Sequence, residues 1–567
     1  MSTIENTNAA ADAEKSKSAL KKEQKKAEKD AKKAAFKAEK QVQPQAKKVE
    51  KVEEDDSATS GDNFGKAPLV QSQTREGKVF TRVEDLTIEK DTQKVLIRAR
   101  VHGSRLQGAN LCFLTLRDTL FTVQGVLAKN ASNSKSMVKF AGSITKESIV
   151  DVQGTISKVP KPIESCSQKD VELHITSIFV VSEAHIIPLQ LEDLSRPIHI
   201  LEEQDKVIAK LSEELKNTSL NEKQKEELEK KKSEASKYVE VSQDKRLDNR
   251  VLDLRVPAHQ AIFKLQSAVG LLFREYLVGR DFVEIHSPKM ISSASESGAS
   301  VFKLGYFDTH AFLAQSPQFY KQMAICADME RVFEIGPVFR AENSFTHRHL
   351  TEFVGLDIEM TFREHYHEVL DELDNLMTSI FEGLETRFKK EIDIISQQYG
   401  YEPFKWTRPS PRFTFDQAAA FLKEIGEEVV DNDINTSQEK RLGKIIKEKY
   451  GVDFYIIDKF YRTARPFYTM PDPNNVLLAN AYDLFMRGEE ICSGAQRIHD
   501  AVMLEESAKN HGINIQSIQA YIDAFKFGAS PHAGGGVGLE RVVMLYMGLG
   551  NIRKTSLFPR DPRRIEP

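Results

Sequence analysis

Arg331 to Met360, RVFEIGPVFRAENSFTHRHLTEFVGLDIEM, reads as two strands joined by a long charged loop. Side chains of a strand alternate between its two faces. In the first strand Phe333, Ile335 and Phe339 therefore point one way, and Glu334, Val338 and Arg340 the other. In the second, Val354, Leu356, Ile358 and Met360 share one face, while Phe353, Gly355, Asp357 and Glu359 share the opposite one. Such half-buried strands are typical of an antiparallel sheet with helices on its apolar back. The front would carry Arg340, Phe353, Asp357 and Glu359, a platform for a charged, flat ligand. Taken alone, the stretch is more simply read as an amphipathic hairpin with a solvated face and a basic loop.

A second stretch changes that balance. Gly534-Gly-Gly-Val-Gly-Leu-Glu-Arg541 precedes the apolar run VVMLYMGLG. It reads as a glycine-rich turn opening a helix, where backbone can approach a phosphate. It is neither a P-loop, since no Lys-Ser/Thr follows, nor a GxGxxG fingerprint.

Together the two stretches resemble motifs 2 and 3 of the class II aminoacyl-tRNA synthetases. Gln315-Ser-Pro-Gln-Phe-Tyr-Lys321 and Ser493-Gly-Ala-Gln-Arg-Ile-His499 narrow this to a resemblance to the aspartyl-tRNA synthetases of the eukaryotic cytosolic kind. The implied architecture is α+β and multidomain. An OB-fold β-barrel would precede a catalytic domain whose antiparallel sheet is flanked by helices.

Composition agrees with that outline. A chain of 567 residues is expected to form more than one domain, and its net charge of −4 implies no global field for a polyanion. The four cysteines form no CxxC pair, so neither a zinc site nor a disulfide framework is indicated. No apolar run approaches a membrane span. Without a signal-peptide core, and with Glu5, Asp12 and Glu14 near its start, the chain is expected to be cytoplasmic.

Residues 1–75 are polar and are expected to be largely disordered alone. Lys22, Lys25, Lys26, Lys29, Lys32 and Lys33 would share one broad helical face. That face is either a solvated tail or an arm tracking phosphates. Ser16-Lys-Ser-Ala-Leu-Lys-Lys-Glu-Gln-Lys25 is similar to a tRNA-gripping element of the family, which favours the arm. Residues 78–195 contain short β-rich runs separated by glycines and polar breaks, as in a small barrel. Residues 196–250 combine a hinge with a charged helical insert, expected as a hairpin with Ile208, Leu211 and Leu215 at helical spacing. A short hinge is usual in the family. The catalytic domain would cover 251–567, with an insert at about 385–470.

The resemblance assigns residues one at a time. In the barrel, Phe113 would stack an anticodon base, and Gln124 and Glu172 would read base edges. Arg98, Arg100 and Arg105 are nearby candidates for phosphate contacts. Pro288, in an expected strand from Phe282 to Met290, would pack across a homodimer axis. ATP would meet Arg340 at the α-phosphate and Arg541 at the γ-phosphate, with adenine between Arg541 and Phe353. Glu342, His349 and Gly538 are further ATP positions. Asp483 and Glu490 would hold Mg²⁺ jointly with the phosphates; without the resemblance, two acids at that spacing read as a solvated face.

For L-aspartate, Lys321 and Arg497 would receive the side-chain carboxylate, with Asp357 orienting both. Gln318 and Glu296 would surround the α-ammonium, and Ser493 is a secondary contact. Ser295 to Val301 resembles the loop that closes over aspartate, with Ser297-Gly298 where the family often has two glycines. Ser344 and Thr346 match the loop that meets the tRNA acceptor end; between them stands a bulky Phe345.

The implied reaction is activation of aspartate by ATP, then transfer to tRNA-Asp. Three rivals share parts of this pattern. Asparaginyl-tRNA synthetases have the same architecture, but Lys321 in QSPQFYK is of the aspartate type. A non-catalytic tRNA-binding paralogue usually lacks the ATP arginines or metal acids, which are kept here. The complete ATP set also argues against a single-strand-binding OB protein with an appended dimerisation domain.

Overall fold

The computed structural model describes residues 63–216, 222–293, 301–430 and 432–567. The lysine-rich segment and the 295–300 loop with Glu296 lie outside the described residues. Two compact units emerge, one running to His185 and the other from Ile186 to Pro567.

The first unit is a closed barrel. Its strands are Phe64–Lys66 (β1), Lys94–Leu106 (β2), Leu111–Asp118 (β3), Phe121–Ala128 (β4), Ile149–Lys158 (β5) and Val171–Ser182 (β6), with one helix, Lys135–Ser143 (α1). The order is β1-β6-β4-β3-β2-β5, and β5 pairs back onto β6 to close the ring. Val95, Ile97, Ala99 and Val101 alternate into the core of β2, as the period of two requires. Closure brings β5 and β6 so close that a Cβ on Gly154 would sit 2.5 Å from the His174 carbonyl oxygen. Phe64–Lys66 adds a parallel edge strand from inside the polar N-terminal stretch.

The second unit begins with Ile198–Glu214 (α2) and Glu222–Ala235 (α3), the expected helical pair. Ile208, Leu211 and Leu215 are only half-buried, and neither helix carries a fully buried residue. Pro257–Val278 (α4) and His367–Arg387 (α6, after the intervening Gln318–Cys326, α5) cover the back of the main sheet.

That sheet contains eight strands: Val283–Glu284 (β7), Arg331–Phe339 (β11), Glu352–Thr361 (β12), Arg412–Thr414 (β13), Phe454–Asp458 (β14), Ala481–Met486 (β15), Glu489–Gln496 (β16) and His532–Gly538 (β17). Their order is β13-β14-β15-β16-β17-β12-β11-β7. The pairs are antiparallel except at the two edges. Met290–Ile291 (β8), Lys303–Tyr306 (β9) and Thr309–Leu313 (β10) form a separate small sheet.

The two faces of β11 and β12 are those expected from their alternation. Phe333, Leu356, Ile358 and Met360 pack on Ile262, Leu265, Val269 and Phe273 of α4 and on Leu373, Leu376 and Ile380 of α6. Burying each such side chain contributes about 1.5–3 kcal/mol. On the other face, Val338 stands opposite Phe353, and Glu334 opposite Asp357.

Two expectations need correction. The strand expected from Phe282 to Met290 is only two residues long beside β11, and Pro288 lies outside it, exposed. Proline has no N–H for a ladder. The Glu334 carboxylate instead accepts from the Ser287 N–H (3.2 Å) and from Lys289, drawing the chain off the sheet. The glycine-rich stretch is no turn: Gly534 to Gly538 belong to β17, between β12 and β16, and the helix Leu539–Met547 starts directly after.

The stretch expected as an insert extends the sheet. β13 and β14 lengthen it by two strands, covered by Phe415–Glu424 (α7) and Thr436–Tyr450 (α8), whose Leu442 and Ile446 pack with Phe413, Tyr455 and Ile457. The final helix, Leu539–Met547, is α9. No helix among the described residues is long and apolar enough to cross a membrane.

Candidate active site

The front of the sheet forms one wall of a cavity of about 490 Å³. Gln318, Lys321, Arg340, Glu342, His349, Phe353, Asp357, Asp483, Glu490, Ser493, Arg497, Gly538 and Arg541 all line it. Residues spread over more than 200 positions thus reach one space.

At one end, four charges interlock. Lys321, on α5, lies 3.1 Å from Asp357 Oδ1 and 3.4 Å from Glu359 Oε2. Arg497, just beyond β16, donates from Nε and Nη2 to the two oxygens of Glu359, at 2.9 and 3.2 Å, and from Nη2 to the Gly534 carbonyl at 3.0 Å. All four side chains are buried. Burial works to raise the Glu359 carboxyl, but Arg497 and Lys321 outweigh it and hold the group below its ordinary value. Arg497 is conversely pushed up, burial notwithstanding, by Glu359.

Of the two cations, Asp357 contacts Lys321 only, whereas Glu359, which the sequence reading gave no role, contacts both. Register decides it: Glu359 stands opposite Gly534, whose carbonyl also takes Arg497, whereas Asp357 stands two residues further along opposite Gly536. Glu359 already shared Asp357's face in the sequence, which was the available signal.

The glycines explain themselves here. A Cβ on Gly534 would fall 2.2 Å from the Ile358 carbonyl oxygen and 2.3 Å from Glu359 Oε2, and one on Gly536 would fall 2.9 Å from Asp357 Oδ1. At Gly534 the Ile358 carbonyl and the Glu359 carboxylate, and at Gly536 the Asp357 carboxylate, fill the space that a side chain would need.

Gln318 donates to Gln322 (2.8 Å), which Tyr521 (2.9 Å) and His532 (3.0 Å) hold in turn. Burial lowers the His532 imidazole to about 4, so it is neutral at pH 7.

The other end is rich in arginine. Arg340 leaves β11 with its guanidinium over the Phe353 ring, 5.4 Å from the centroid. Arg541, in the first turn of α9, donates to the backbone carbonyls of Glu490 (2.7 Å) and Arg348 (3.3 Å). Among the described residues neither has a carboxylate within ion-pair distance. Burial lowers Arg541, as do the charges of Arg348 and Arg340, against the pull of Glu490. An incoming polyanion would relieve that repulsion. His349 is also lowered, by burial and then by Arg541 and Arg348. Behind Phe353, the buried Glu540 accepts from the Val354 N–H (3.0 and 3.2 Å), tying α9 to β12; its carboxyl is raised by burial to about 7.

Asp483 stands opposite Ser493 and Glu490 opposite Phe485 on the β15–β16 hairpin, where a bulge after Leu484 resets the register, and both line the cavity. Asp483 is taken by Arg465, at 2.9 and 2.7 Å, and Arg465 also donates to Ser493 at 2.7 Å. Burial and the nearby Glu490 raise the Asp483 carboxyl despite Arg465. Arg465 stands in RPFYTMPDP but was not expected in the site. Among the described residues no three His, Cys, Asp or Glu side chains converge on a ready-made metal site.

Ser344 and Thr346 both face His349 Nδ1, at 3.3 and 2.6 Å. Phe345 turns elsewhere, between the guanidinium groups of Arg553 and Arg563, whose carbons lie 4.3 and 4.1 Å from its centroid.

In the barrel, Phe113, Gln124 and Glu172 stand on the neighbouring strands β3, β4 and β6. Gln124 donates to Glu172 at 3.0 Å, and Arg105 covers Phe113 at 5.2 Å. Arg98 is engaged by Asp151 at 2.7 and 2.8 Å, and Arg100 by the Glu147 carbonyl at 2.9 Å, so neither guanidinium is uncommitted.

Comparison with known proteins fits this geometry. Residues 242–562 match the family described as tRNA synthetases class II (D, K and N), and residues 95–181 the OB-fold nucleic acid binding domain. The chain is 66% identical over 521 residues to a cytoplasmic aspartate–tRNA ligase of Dictyostelium discoideum, covering 91% of this chain and 90% of the relative. Among solved structures it resembles an aspartyl-tRNA synthetase from Entamoeba histolytica, with TM-score 0.80 and 46% identity over 90% of this chain and 97% of the other. An asparaginyl-tRNA synthetase from Pyrococcus horikoshii, complexed with asparaginyl-adenylate, gives TM-score 0.69 and 27% identity, over 87% of this chain and all (100%) of that one.

Proposed function

Because the chain belongs to the class II tRNA synthetases, we propose that the cavity on its sheet is where aspartate, ATP and the tRNA terminus react. Its activity is the ligation of aspartate to tRNA at the cost of ATP. The observation that carries the residue assignment is the buried set of Lys321, Arg497, Asp357 and Glu359.

In the first step an aspartate carboxylate oxygen attacks the α-phosphorus and pyrophosphate leaves. In-line displacement needs positioning and charge neutralisation more than a covalent nucleophile. Arg340 meets the α-phosphate, and Arg541 meets the γ-phosphate and covers adenine opposite Phe353; arginine's fork and plane suit both tasks. Glu342, His349 and Gly538 complete the ATP surface. In the second step a ribose hydroxyl of the tRNA terminus attacks the acyl carbon and AMP leaves. Ser344 and Thr346 face that terminus.

Aspartate's side-chain carboxylate is received by Lys321 and Arg497, which Asp357 and Glu359 hold in place. Gln318, with Glu296, serves the ammonium end, and Ser493 backs the pocket. Asparagine would leave cationic charge unmatched, at a cost of about 2–5 kcal/mol.

The oxygen donors Asp483 and Glu490 would suit Mg²⁺ shared with the phosphates, with Arg465 giving up its bonds to Asp483 as the ion enters. Such an ion would neutralise phosphate charge.

We further assign residues 78–195 to the anticodon, read by Phe113, Gln124 and Glu172, and residues 1–75 to a lysine-rich arm. The hinge and its insert span 196–250, and catalysis 251–567. A homodimer is supported by the exposure of the apolar Leu271, Val278, Val283 and Met290, as of Pro288. We place the protein in the cytoplasm, as its relatives' names do. The test is transfer of labelled aspartate to tRNA-Asp by the purified chain. Transfer that requires ATP supports the reading, and tRNA binding with no transfer overturns it.

A further inference from the structure

We propose that the catalytic-domain insert helps build the ATP site, with Arg348 and Glu439 as the positioning residues that lock its loop. This rests on reading the arginine-rich end of the cavity as the ATP site. The loop between β11 and β12 carries Glu342 and His349, yet it has no secondary structure of its own to fix it. Its Arg348 reaches across to α8 of the insert. Nη1 donates to Glu439 at 2.5 Å and Nη2 to Thr436 at 2.7 Å, both partners lying one turn apart on the helix. The ion pair is nearly dry, with the two side chains 12% and 9% exposed. Charge-assisted bonds of this kind fix geometry as well as adding energy.

The helix is itself held in place. Asn435 caps it, accepting from the Ser437 and Gln438 N–H groups at 3.0 and 3.2 Å. At Gly443 it packs so tightly on the β15–β16 hairpin that a Cβ would lie 2.4 Å from Gly488 Cα. A second tether runs alongside: Lys440 and His347 share Glu489, at 3.3 and 2.9 Å.

The consequence reaches the phosphates. The Arg348 carbonyl accepts from Arg541 at 3.3 Å, and His349 is the next residue. Fixing Arg348 therefore fixes the backbone on which Arg541 leans and from which His349 projects. Asp433, Ile434 and Glu439 of the insert also line the cavity. Arg348 also lines the cavity, but its guanidinium is engaged with Glu439 and Thr436, so the part proposed for the pair is to hold the loop ready for ATP.

The test is ATP–pyrophosphate exchange by the full chain with Arg348→Gln, Arg348→Lys and Glu439→Gln, and Arg340→Ala as reference. Loss of the ion pair should raise the ATP KM about tenfold, the scale of one charge-assisted hydrogen bond. The aspartate KM and kcat should stay within about twofold of the parent. Arg348→Lys, which can still pair with Glu439, should fall between. Amide exchange in residues 341–351 should quicken in Arg348→Gln and slow again with ATP, a readout that persists if kinetics are obscured by lower stability. An unchanged ATP KM in both neutral variants, or equal rises in the ATP and aspartate KM, would overturn the proposal. Full exchange by Arg340→Ala would instead remove the ATP reading beneath it.

Discussion

The two ends of the cavity hold similar numbers of charges but treat them differently. At the amino-acid end, Lys321 and Arg497 are matched within the protein by Asp357 and Glu359, all buried. At the phosphate end, Arg340 and Arg541 have no carboxylate partner among the described residues, and Arg541 is lowered by burial and by its arginine neighbours. The first end is preorganised for one small ligand, and the protein supplies the order in advance. The second depends on its ligand to balance it. On the proposed reading, selectivity belongs to the paired end and the drive for catalysis to the unpaired one.

The largest effect should come from the unpaired end. Arg340→Ala should lower aspartate-dependent exchange about a thousandfold, the scale of one preorganised charge contact in a transition state, with the melting temperature almost unchanged. A mutant that retains exchange would erase the distinction. At the paired end, Glu359→Gln leaves Arg497 buried without its counter-charge, a loss of roughly 3 kcal/mol. The aspartate kcat/KM should fall about a hundredfold and stability should fall with it. A stable variant with lowered activity would show that Glu359 orients without holding the fold.

A pH series separates the ends further. His532 sits behind the paired end with its imidazole lowered from 6.5 to about 4. The folded state therefore favours the neutral ring. Its stabilisation is complete above pH 6.5 and is lost as pH falls from 6.5 to 4, on the order of 3 kcal/mol. Chemical denaturation across that window should show a smaller acid loss in His532→Gln than in the parent; parallel curves would count against this burial account. The smallest effect should come from removing residues 1–40. The tRNA KM should rise about threefold at low salt, with the gap to the parent closing as salt increases, if that segment adds sequence-independent affinity, while exchange without tRNA stays unchanged.

Much of this site was legible in the chain because strands have a period of two. Phe353, Asp357 and Glu359 share a face in β12 as their spacing dictates. The glycine-rich stretch was less legible, since a turn and a strand can use the same residue for different reasons. What demands glycine at Gly534 is the Glu359 carboxylate, 175 residues earlier in the chain. Glu359 was on the correct face, but its partner Arg497 is set by register to β17, which no local pattern reveals. Arg465 and Glu439 stayed hidden likewise, because the insert's contacts with Asp483 and Arg348 depend on how β13 and β14 extend the sheet.

The most direct test of the paired end is ATP–pyrophosphate exchange with aspartate and asparagine side by side, in the parent and in Glu359→Gln. The account predicts exchange with aspartate, almost none with asparagine, and weaker exchange with aspartate once Glu359 no longer orients Arg497 and Lys321. Exchange by the parent with asparagine as readily as with aspartate would contradict it, because the buried quartet would then not be what selects the substrate.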